Sequence, residues 1–171
     1  MSGSFWQRLD GAARGAAPAL MTLMLVLVGV MPLRLPFYGV VAPVLPLIAI
    51  YYWAVHRPDL MPFGVVFVLG LLHDILTAAP LGLNAAVFLV AHWIVVGQRR
   101  FLVGRSFLVL WWGFIMIAGV AAILEWGIFS IYATAVMPGE PVLFRTLITM
   151  AMFPAVAWLA IQVHRGFLAT G

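Results

Sequence analysis

Long stretches almost free of charged residues restrict this chain more than any other feature. A helix needs about 20 consecutive, mainly apolar residues to cross the hydrocarbon core of a bilayer. The sequence offers six such intervals: residues 17–33, 37–55, 60–76, 82–97, 106–133 and 142–163, each boundary being approximate. Backbone groups in lipid must be hydrogen-bonded within the segment, which favours helices. The pattern predicts an all-α integral membrane protein, with six transmembrane helices forming one compact bundle over residues 1–171.

Composition excludes several other classes of protein. Charged residues make up 8% of the chain and hydrophobic residues 65%, against roughly 25% and 45–50% in soluble domains. A soluble globule and a disordered chain are both excluded by these values. The absence of cysteine excludes disulfides, iron–sulfur clusters and cysteine-based zinc sites. No basic run is longer than Arg99–Arg100, so a nucleic-acid-binding surface is not expected.

The arginines predict the orientation of the chain in the membrane. With six spans, both termini lie on one side, together with Arg8, Arg14, Arg57, Arg99, Arg100, Arg105 and Arg165. Only Arg34 and Arg145 lie on the other side. Because cytoplasmic loops are enriched in basic residues, both termini are predicted to be cytoplasmic. Residues 1–16 form a cytoplasmic N-terminal segment whose apolar residues recur at helical spacing, which is also typical of a short interfacial helix.

Two carboxylates fall inside predicted spans, where ionisable residues are costly and often functional. Asp74 and Glu125 are both placed towards the outer face of the membrane by their distance along their helices. Our hypothesis is that they pair with Arg145 or Arg34. Contact with interfacial water and a role in transport or proton relay are the alternatives. A third acid, Asp59, is interpreted as the N-cap of the third helix.

Prolines and small residues predict local features of the bundle. Pro43 and Pro46 lack the N–H groups that a continuous helix requires, so the second span is expected to be kinked or to begin late. Carbonyls freed in this way need partners on neighbouring helices or in a cavity. Five small residues permit close approach between helices or to another membrane protein; they are Gly64, Gly70, Ala118, Gly119 and Ala122.

No set of residues typical of an enzyme is visible. The two serines nearest a predicted span lack a Gly-x-Ser-x-Gly setting, and the four histidines lack metal-ligand spacing. General acid–base chemistry by Asp74 and Glu125 remains an alternative, with structural contacts between helices favoured over it. The sequence therefore predicts no catalytic residue, no cofactor and no metal site.

Three short segments carry a resemblance to a known family. Residues 53–59 precede Gly-Leu-x-x-Asp at 70–74, and a turn then leads to Leu-Gly-Leu at 81–83. This pattern resembles MreD, the rod-shape-determining membrane protein of bacteria, over about residues 43–90. In many members of that family a histidine stands at the position of Asn84.

The resemblance implies a fold similar to the substrate-binding component of energy-coupling-factor vitamin transporters. It also implies a non-enzymatic scaffold or regulatory subunit of the cell-elongation complex, which builds lateral-wall peptidoglycan at the bacterial cytoplasmic (inner) membrane. MreC is the implied direct partner. MreB, the elongation glycosyltransferase and the transpeptidase are partners at the level of the complex, alongside membrane lipid and without nucleic acid.

Residues are carried over from the family one by one. Gly70, Asp74 and Gly82 match its pattern, and Asp74 would fix the turn between the third and fourth helices by capping backbone N–H groups of the fourth. The full set of structural or partner-interaction candidates is Gly70, Asp74, Gly82, Asn84, Glu125, Arg145, Pro43 and Pro46. The alternative function is a small-molecule-binding subunit of a vitamin-uptake transporter, with a cavity between the second span and the Asp74–Glu125 region.

Overall fold

The computed structural model describes residues 3–31, 42–136 and 138–168, and the side chains of those between 15 and 166. Six α-helices are found in these residues: α1 Gly3–Val30, α2 Leu45–His56, α3 Phe63–Thr77, α4 Leu83–Leu102, α5 Phe107–Tyr132 and α6 Glu140–Val163. A 3-10 turn at Pro58–Leu60 precedes α3, and a π-helical turn at His164–Leu168 follows α6. The described part of the chain contains no strand, so the predicted all-helical class is confirmed.

Three helices are long and apolar enough to cross a membrane. They are α4, α5 and the stretch Glu140–Gly166, which is α6 with part of the following turn. The apolar helices Gly15–Val30, α2 and α3 are shorter. At 1.5 Å per residue, the twelve residues of α2 extend about 18 Å, which is less than the roughly 30 Å of a bilayer core. Length and composition therefore support three spans directly.

Helix α2 is the centre of the bundle. Every residue from Leu45 to Val55 is buried, and α1, α4 and α6 pack around it. The helix begins at Leu45 with Pro46 in its first turn, where a missing N–H removes no helical hydrogen bond. Within the described residues, the second apolar segment therefore starts late. Residues 37–41 of the predicted span, and Arg34 before it, lie outside the described residues.

An aromatic cluster joins α2 to the two C-terminal helices. The rings of Phe114 on α5 and Phe153 on α6 stack with centroids 4.7 Å apart, and Tyr51 on α2 meets both edge-on at 5.4 and 5.8 Å. The Tyr51 hydroxyl donates a hydrogen bond to the Leu110 carbonyl at 2.9 Å. A buried phenol with a partner adds large apolar area without leaving a polar group unpaired.

The remaining helices complete the layers around α2. Helix α3 packs along α4 and also touches α1, while α5 packs between α4 and α6. Helix α1 runs unbroken from Gly3 to Val30 with Pro18 inside it, so the N-terminal segment and the first predicted span belong to one helix.

One end of the bundle, called the arginine-rich end, carries five of the nine arginines. They are Arg57, Arg99, Arg100, Arg105 and Arg165.

The interpretation of Asp59 as the N-cap of the third helix is wrong. Pro62 is the N-cap of α3, and no side chain caps it. Asp59 lies in the preceding 3-10 turn, where the Arg57 guanidinium donates to both of its carboxylate oxygens. A bidentate partner two residues away holds the carboxylate at the arginine-rich end, away from the first turn of α3.

Candidate functional site

The carboxylate of Asp74 caps a helix to which Asp74 does not belong. Its Oδ1 atom accepts the backbone N–H and the side-chain amide of Asn84, at 2.9 and 2.8 Å. Its Oδ2 atom accepts the backbone N–H of Gly82 at 2.9 Å and that of Ala85 at 3.4 Å. Asp74 is completely buried. A carboxylate at the first turn of a helix also interacts favourably with the helix dipole, so Asp74 on α3 stabilises the start of α4.

The conformation of Gly82 explains why the cap comes from another helix. Gly82 is the N-cap of α4 and has φ +93° and ψ −8°, a left-handed conformation that favours glycine. An N-cap normally supplies a side-chain oxygen to the first turn, which glycine cannot do. Asp74 supplies that oxygen instead, from eight residues earlier in the chain.

The end of α3 is closed by a Schellman motif that also involves Asp74. The backbone N–H of Ala79 donates to the Asp74 carbonyl at 3.0 Å, and that of Ala78 donates to the Ile75 carbonyl at 3.4 Å. Ala78 takes the left-handed conformation that the motif requires, with φ 53°. Main chain and side chain of Asp74 therefore hold both ends of the turn between α3 and α4.

Gly70 sets the distance between α3 and α4. A Cβ atom at this position would lie 2.5 Å from the Cα and 2.9 Å from the backbone nitrogen of Ala85, so the two helices touch through their backbones. Gly64 and Gly119 have no atom within 4 Å of such a Cβ, so among the described residues they are not points of close approach between helices. Their alternative role, contact with another membrane protein, stays a prediction. Close contact at Gly70 brings Asp74, one turn later, within reach of the first turn of α4.

Glu125 and Arg145 form an ion pair between α5 and α6. Their side chains are 17% and 22% exposed, and Arg145 Nε also donates to the Ala42 carbonyl at 3.1 Å. The hypothesis of pairing with Arg145 therefore describes Glu125 and is wrong for Asp74, whose oxygens are taken by the first turn of α4. Pairing with Arg34 falls outside the described residues.

Helix α6 holds the proline-containing entry to α2 through a second residue. The Thr149 hydroxyl accepts the backbone N–H of Val44 at 3.0 Å and donates to the Arg145 carbonyl at 2.7 Å. On either side of Pro43, the Ala42 carbonyl is thus paired with Arg145 and the Val44 N–H with Thr149. In a regular helix these two backbone groups would be paired within the helix. Thr149 is fully buried. A threonine one turn after Arg145 is its only sequence signal.

A cavity of about 430 Å³ lies between these two groups of contacts. Its walls include Pro43, Asn84, Glu125 and Arg145 among the candidate residues, together with His73, Thr77, Trp126 and Phe129. His73 is 3% exposed, and its Nδ1 atom has no hydrogen-bond partner among the described residues. The volume falls within the roughly 300–1,000 Å³ typical of ligand sites. The structure thus brings apolar rings and several polar groups to one cavity.

A sequence model described as "rod shape-determining protein MreD" matches residues 14–163. The chain belongs to the MreD family. The match covers both groups of contacts and all six helices in whole or in part, so the resemblance found at residues 43–90 extends through α5 and α6. MreD membership and the apolar helices together identify a membrane protein involved in rod shape. Neither the curated proteins nor the solved structures contain a significant match to the chain.

The MreD family is described by a role in cell shape and is not a known enzyme family. In the described part of this member, no three histidine, aspartate or glutamate side chains come together in a way that could hold a metal ion. Six of the candidate residues form two structural groups: Gly70, Asp74, Gly82 and Asn84 fix α3 against α4, whereas Glu125 and Arg145 join α5 to α6. Pro43 and Pro46 lie at the entry to α2, which Arg145 and Thr149, a residue not predicted from the sequence, hold through Ala42 and Val44.

Proposed function

We propose that this MreD-family protein is a non-enzymatic scaffold or regulatory subunit of the bacterial cell-elongation complex, with MreC as its direct partner. The observation that carries the proposal is the family match over residues 14–163. The site geometry supports it, because the polar groups fasten helices to one another and, in the described part of the chain, form no arrangement of nucleophile, base and oxyanion donors. MreB, the elongation glycosyltransferase and the transpeptidase belong to the same complex, and we propose no direct contact with them.

The proposal includes the membrane topology. Six spans in the cytoplasmic membrane place both termini with the arginine-rich end in the cytoplasm. Support comes from the five arginines that the ends of α2, α4, α5 and α6 bring to one end of the bundle. The likeness to the vitamin-binding transporter component is part of the same proposal.

Depletion in a rod-shaped host tests the proposed function. Cells that lose the protein are expected to widen and become round, and a plasmid-borne copy should restore rods. Cells that stay rod-shaped after complete depletion would contradict the proposal. Affinity purification of the tagged protein from crosslinked membranes should recover MreC, whereas recovery of a transporter ATPase in its place would point to the alternative function.

A specific observation favours that alternative, a small-molecule-binding subunit. The cavity of about 430 Å³ is large enough for a vitamin-sized ligand. A bound compound should raise the melting temperature of the purified protein, and Ala79→Trp, which places an indole at the cavity wall, should abolish the increase. Ala86→Trp is the matched control, because Ala86 is exposed on α4 and does not line the cavity.

A further inference from the structure

A second cleft lies at the arginine-rich end, opposite the cavity near Asp74. It has a volume of about 200 Å³ and is formed by the last turn of α2, the start of α5 and the last turns of α6. Its lining consists of Tyr52, His56, Arg105, Phe107, Leu110, Phe153, Ala157 and Ile161. This volume is below the roughly 300–1,000 Å³ of sites that enclose a small molecule. The cleft is therefore suited to part of a longer ligand whose remainder lies outside.

One wall of the cleft has hydrogen-bonding groups available. Tyr52 is 5% exposed, and its hydroxyl makes no hydrogen bond to any described residue. The His56 ring stacks on Tyr52 with centroids 4.3 Å apart. Because the Tyr52 carbonyl can only accept, His56 donates to it through Nδ1 at 2.9 Å, which leaves Nε2 for another partner. The Tyr52 hydroxyl is not one of the fully enclosed polar atoms that lack a partner, so it is accessible from the cleft and can donate to an acceptor there.

The charge around the cleft selects an anion. Arg105 lines it, and Arg165 lies close enough for its charge to act on Tyr52. Neither arginine forms an ion pair within the described residues. Asp59 is the acid described at this end of the bundle, and Arg57 already binds it. Among the side chains that the structure describes, no acid is left to neutralise Arg105 and Arg165 beside the Tyr52 hydroxyl.

The opposite wall is apolar and continuous. Phe107 and Phe153 contact each other with ring centroids 5.8 Å apart, and Leu110, Ala157 and Ile161 extend this surface between α5 and α6. A free phosphate ion has no group that matches such a wall, whereas an acyl chain does. Basic pockets between transmembrane helices commonly bind anionic lipid headgroups.

We propose that this cleft binds an anionic phospholipid, with its phosphate at Tyr52 and Arg105 and one acyl chain along the wall between Phe107 and Ile161. The occupied site would tie the ends of α2, α5 and α6 together at the membrane surface. It is separate from the Asp74 turn and from the Glu125–Arg145 ion pair, which lie at the other end of the bundle.

Native mass spectrometry of the purified protein, titrated with phosphatidylglycerol or phosphatidylcholine, tests the proposal. Phosphatidylglycerol should bind preferentially, and Arg105→Gln should weaken its binding about fivefold, which corresponds to one basic residue near a lipid headgroup. Tyr52→Phe should weaken it by about tenfold, because the hydroxyl bond to a charged group is lost while the ring remains. Ile161→Trp should also weaken binding by filling the apolar wall without changing the charge.

Arg100→Gln is the matched control, since Arg100 lies at the same end but over the Phe101 ring and outside the cleft. It should leave phosphatidylglycerol binding unchanged. Equal binding of the two lipids, or equal loss in Arg100→Gln and Arg105→Gln, would overturn the proposal in favour of general attraction to the surface. Loss in Arg105→Gln without loss in Tyr52→Phe would overturn the placement of the phosphate. Binding of soluble glycerol phosphate as tight as that of the lipid would overturn the role of the acyl chain.

Discussion

Asp74 and Asn84 are joined twice, because one carboxylate oxygen of Asp74 accepts both the backbone N–H and the side-chain amide of Asn84. The other oxygen accepts from Gly82 and Ala85. Four donors therefore converge on one buried side chain, and they belong to the N-cap and the first turn of α4. The strength of this turn rests on Asp74 more than on any other residue of the α3–α4 pair.

Replacing Asp74 should lower the free energy of unfolding in a graded way. Asp74→Ala leaves several buried N–H groups without acceptors, and at about 1–3 kcal/mol each the loss should be at least about 3 kcal/mol. Asp74→Asn keeps one acceptor oxygen but turns an NH₂ group towards N–H donors, so a loss of about 2 kcal/mol is expected. Denaturation of the purified protein in detergent measures both. Equal stability of Asp74→Asn and wild type would show that the cap is dispensable.

Gly70→Ala should destabilise the protein, because its Cβ would lie 2.5 Å from a backbone atom of Ala85 that cannot move aside by a rotamer change. Overpacking of this kind typically costs about 1–3 kcal/mol. Gly64→Ala is the matched control on the same helix, with open space around the new methyl group, and should be neutral or stabilise by up to about 1 kcal/mol. Thermal melting of the two variants side by side decides between close contact and general sensitivity of α3.

Two left-handed residues on either side of the turn should respond in opposite directions. Ala78 has φ 53°, a conformation that costs a residue with a Cβ about 1–2 kcal/mol, so Ala78→Gly should stabilise the protein by up to about 1 kcal/mol. Gly82→Ala introduces that strain at φ +93° with no atom within 4 Å of the new Cβ, and should destabilise it by a similar amount. A melting temperature that moves the same way in both variants would contradict the backbone explanation.

The all-helical class and the family could be predicted from the sequence because both depend on local patterns. These patterns are the apolar intervals and the residues around Gly70, Asp74 and Gly82. Counting residues along each helix also placed Asp74 and Glu125 at the same end of the bundle. The sequence could not decide which carboxylate pairs with Arg145, because Asp74 and Glu125 were both candidates. Only the close approach of α3 to α4 shows that the Asp74 oxygens already accept hydrogen bonds from the start of α4.

Contacts between distant residues were beyond the sequence for a physical reason. Thr149 receives the N–H of Val44 from 105 positions away, and nothing in the local pattern of either segment encodes that register. The close contact between Gly113 on α5 and Tyr51 on α2 was equally invisible in the sequence. A Cβ at Gly113 would lie 2.6 Å from the Tyr51 hydroxyl oxygen. Hydropathy alone also does not distinguish a short, fully buried helix such as α2 from one that crosses the membrane, because both have the same apolar composition.

The ion pair at the arginine-rich end should contribute little. Arg57 donates to Asp59 and lowers the pKa of that carboxyl below its usual 3.8. A lowered folded-state pKa gives stability that is present above 3.8 and is lost as the pH falls through the lowered value. Because the Asp59 side chain is 60% exposed, Asp59→Asn should reduce stability at pH 7 by less than about 1 kcal/mol. Melting of both proteins should show this difference vanishing in strong acid, and a difference that grows on acidification would contradict the assignment.

The Glu125–Arg145 pair should show energetic coupling that the Asp74–Arg145 pair lacks. Glu125→Gln and Arg145→Gln each leave a partly buried charge unpaired, so each should lower the free energy of unfolding by about 1–3 kcal/mol. The double variant should lose less than the sum, by about 1 kcal/mol or more. Arg145→Gln should be the more damaging single change, because it also removes the Nε bond to the Ala42 carbonyl. A second double-mutant cycle, which combines Asp74→Asn with Arg145→Gln, is the control. In it the two losses of unfolding free energy should add within about 0.5 kcal/mol. Additivity in both cycles would mean that the Glu125–Arg145 contact adds nothing to stability.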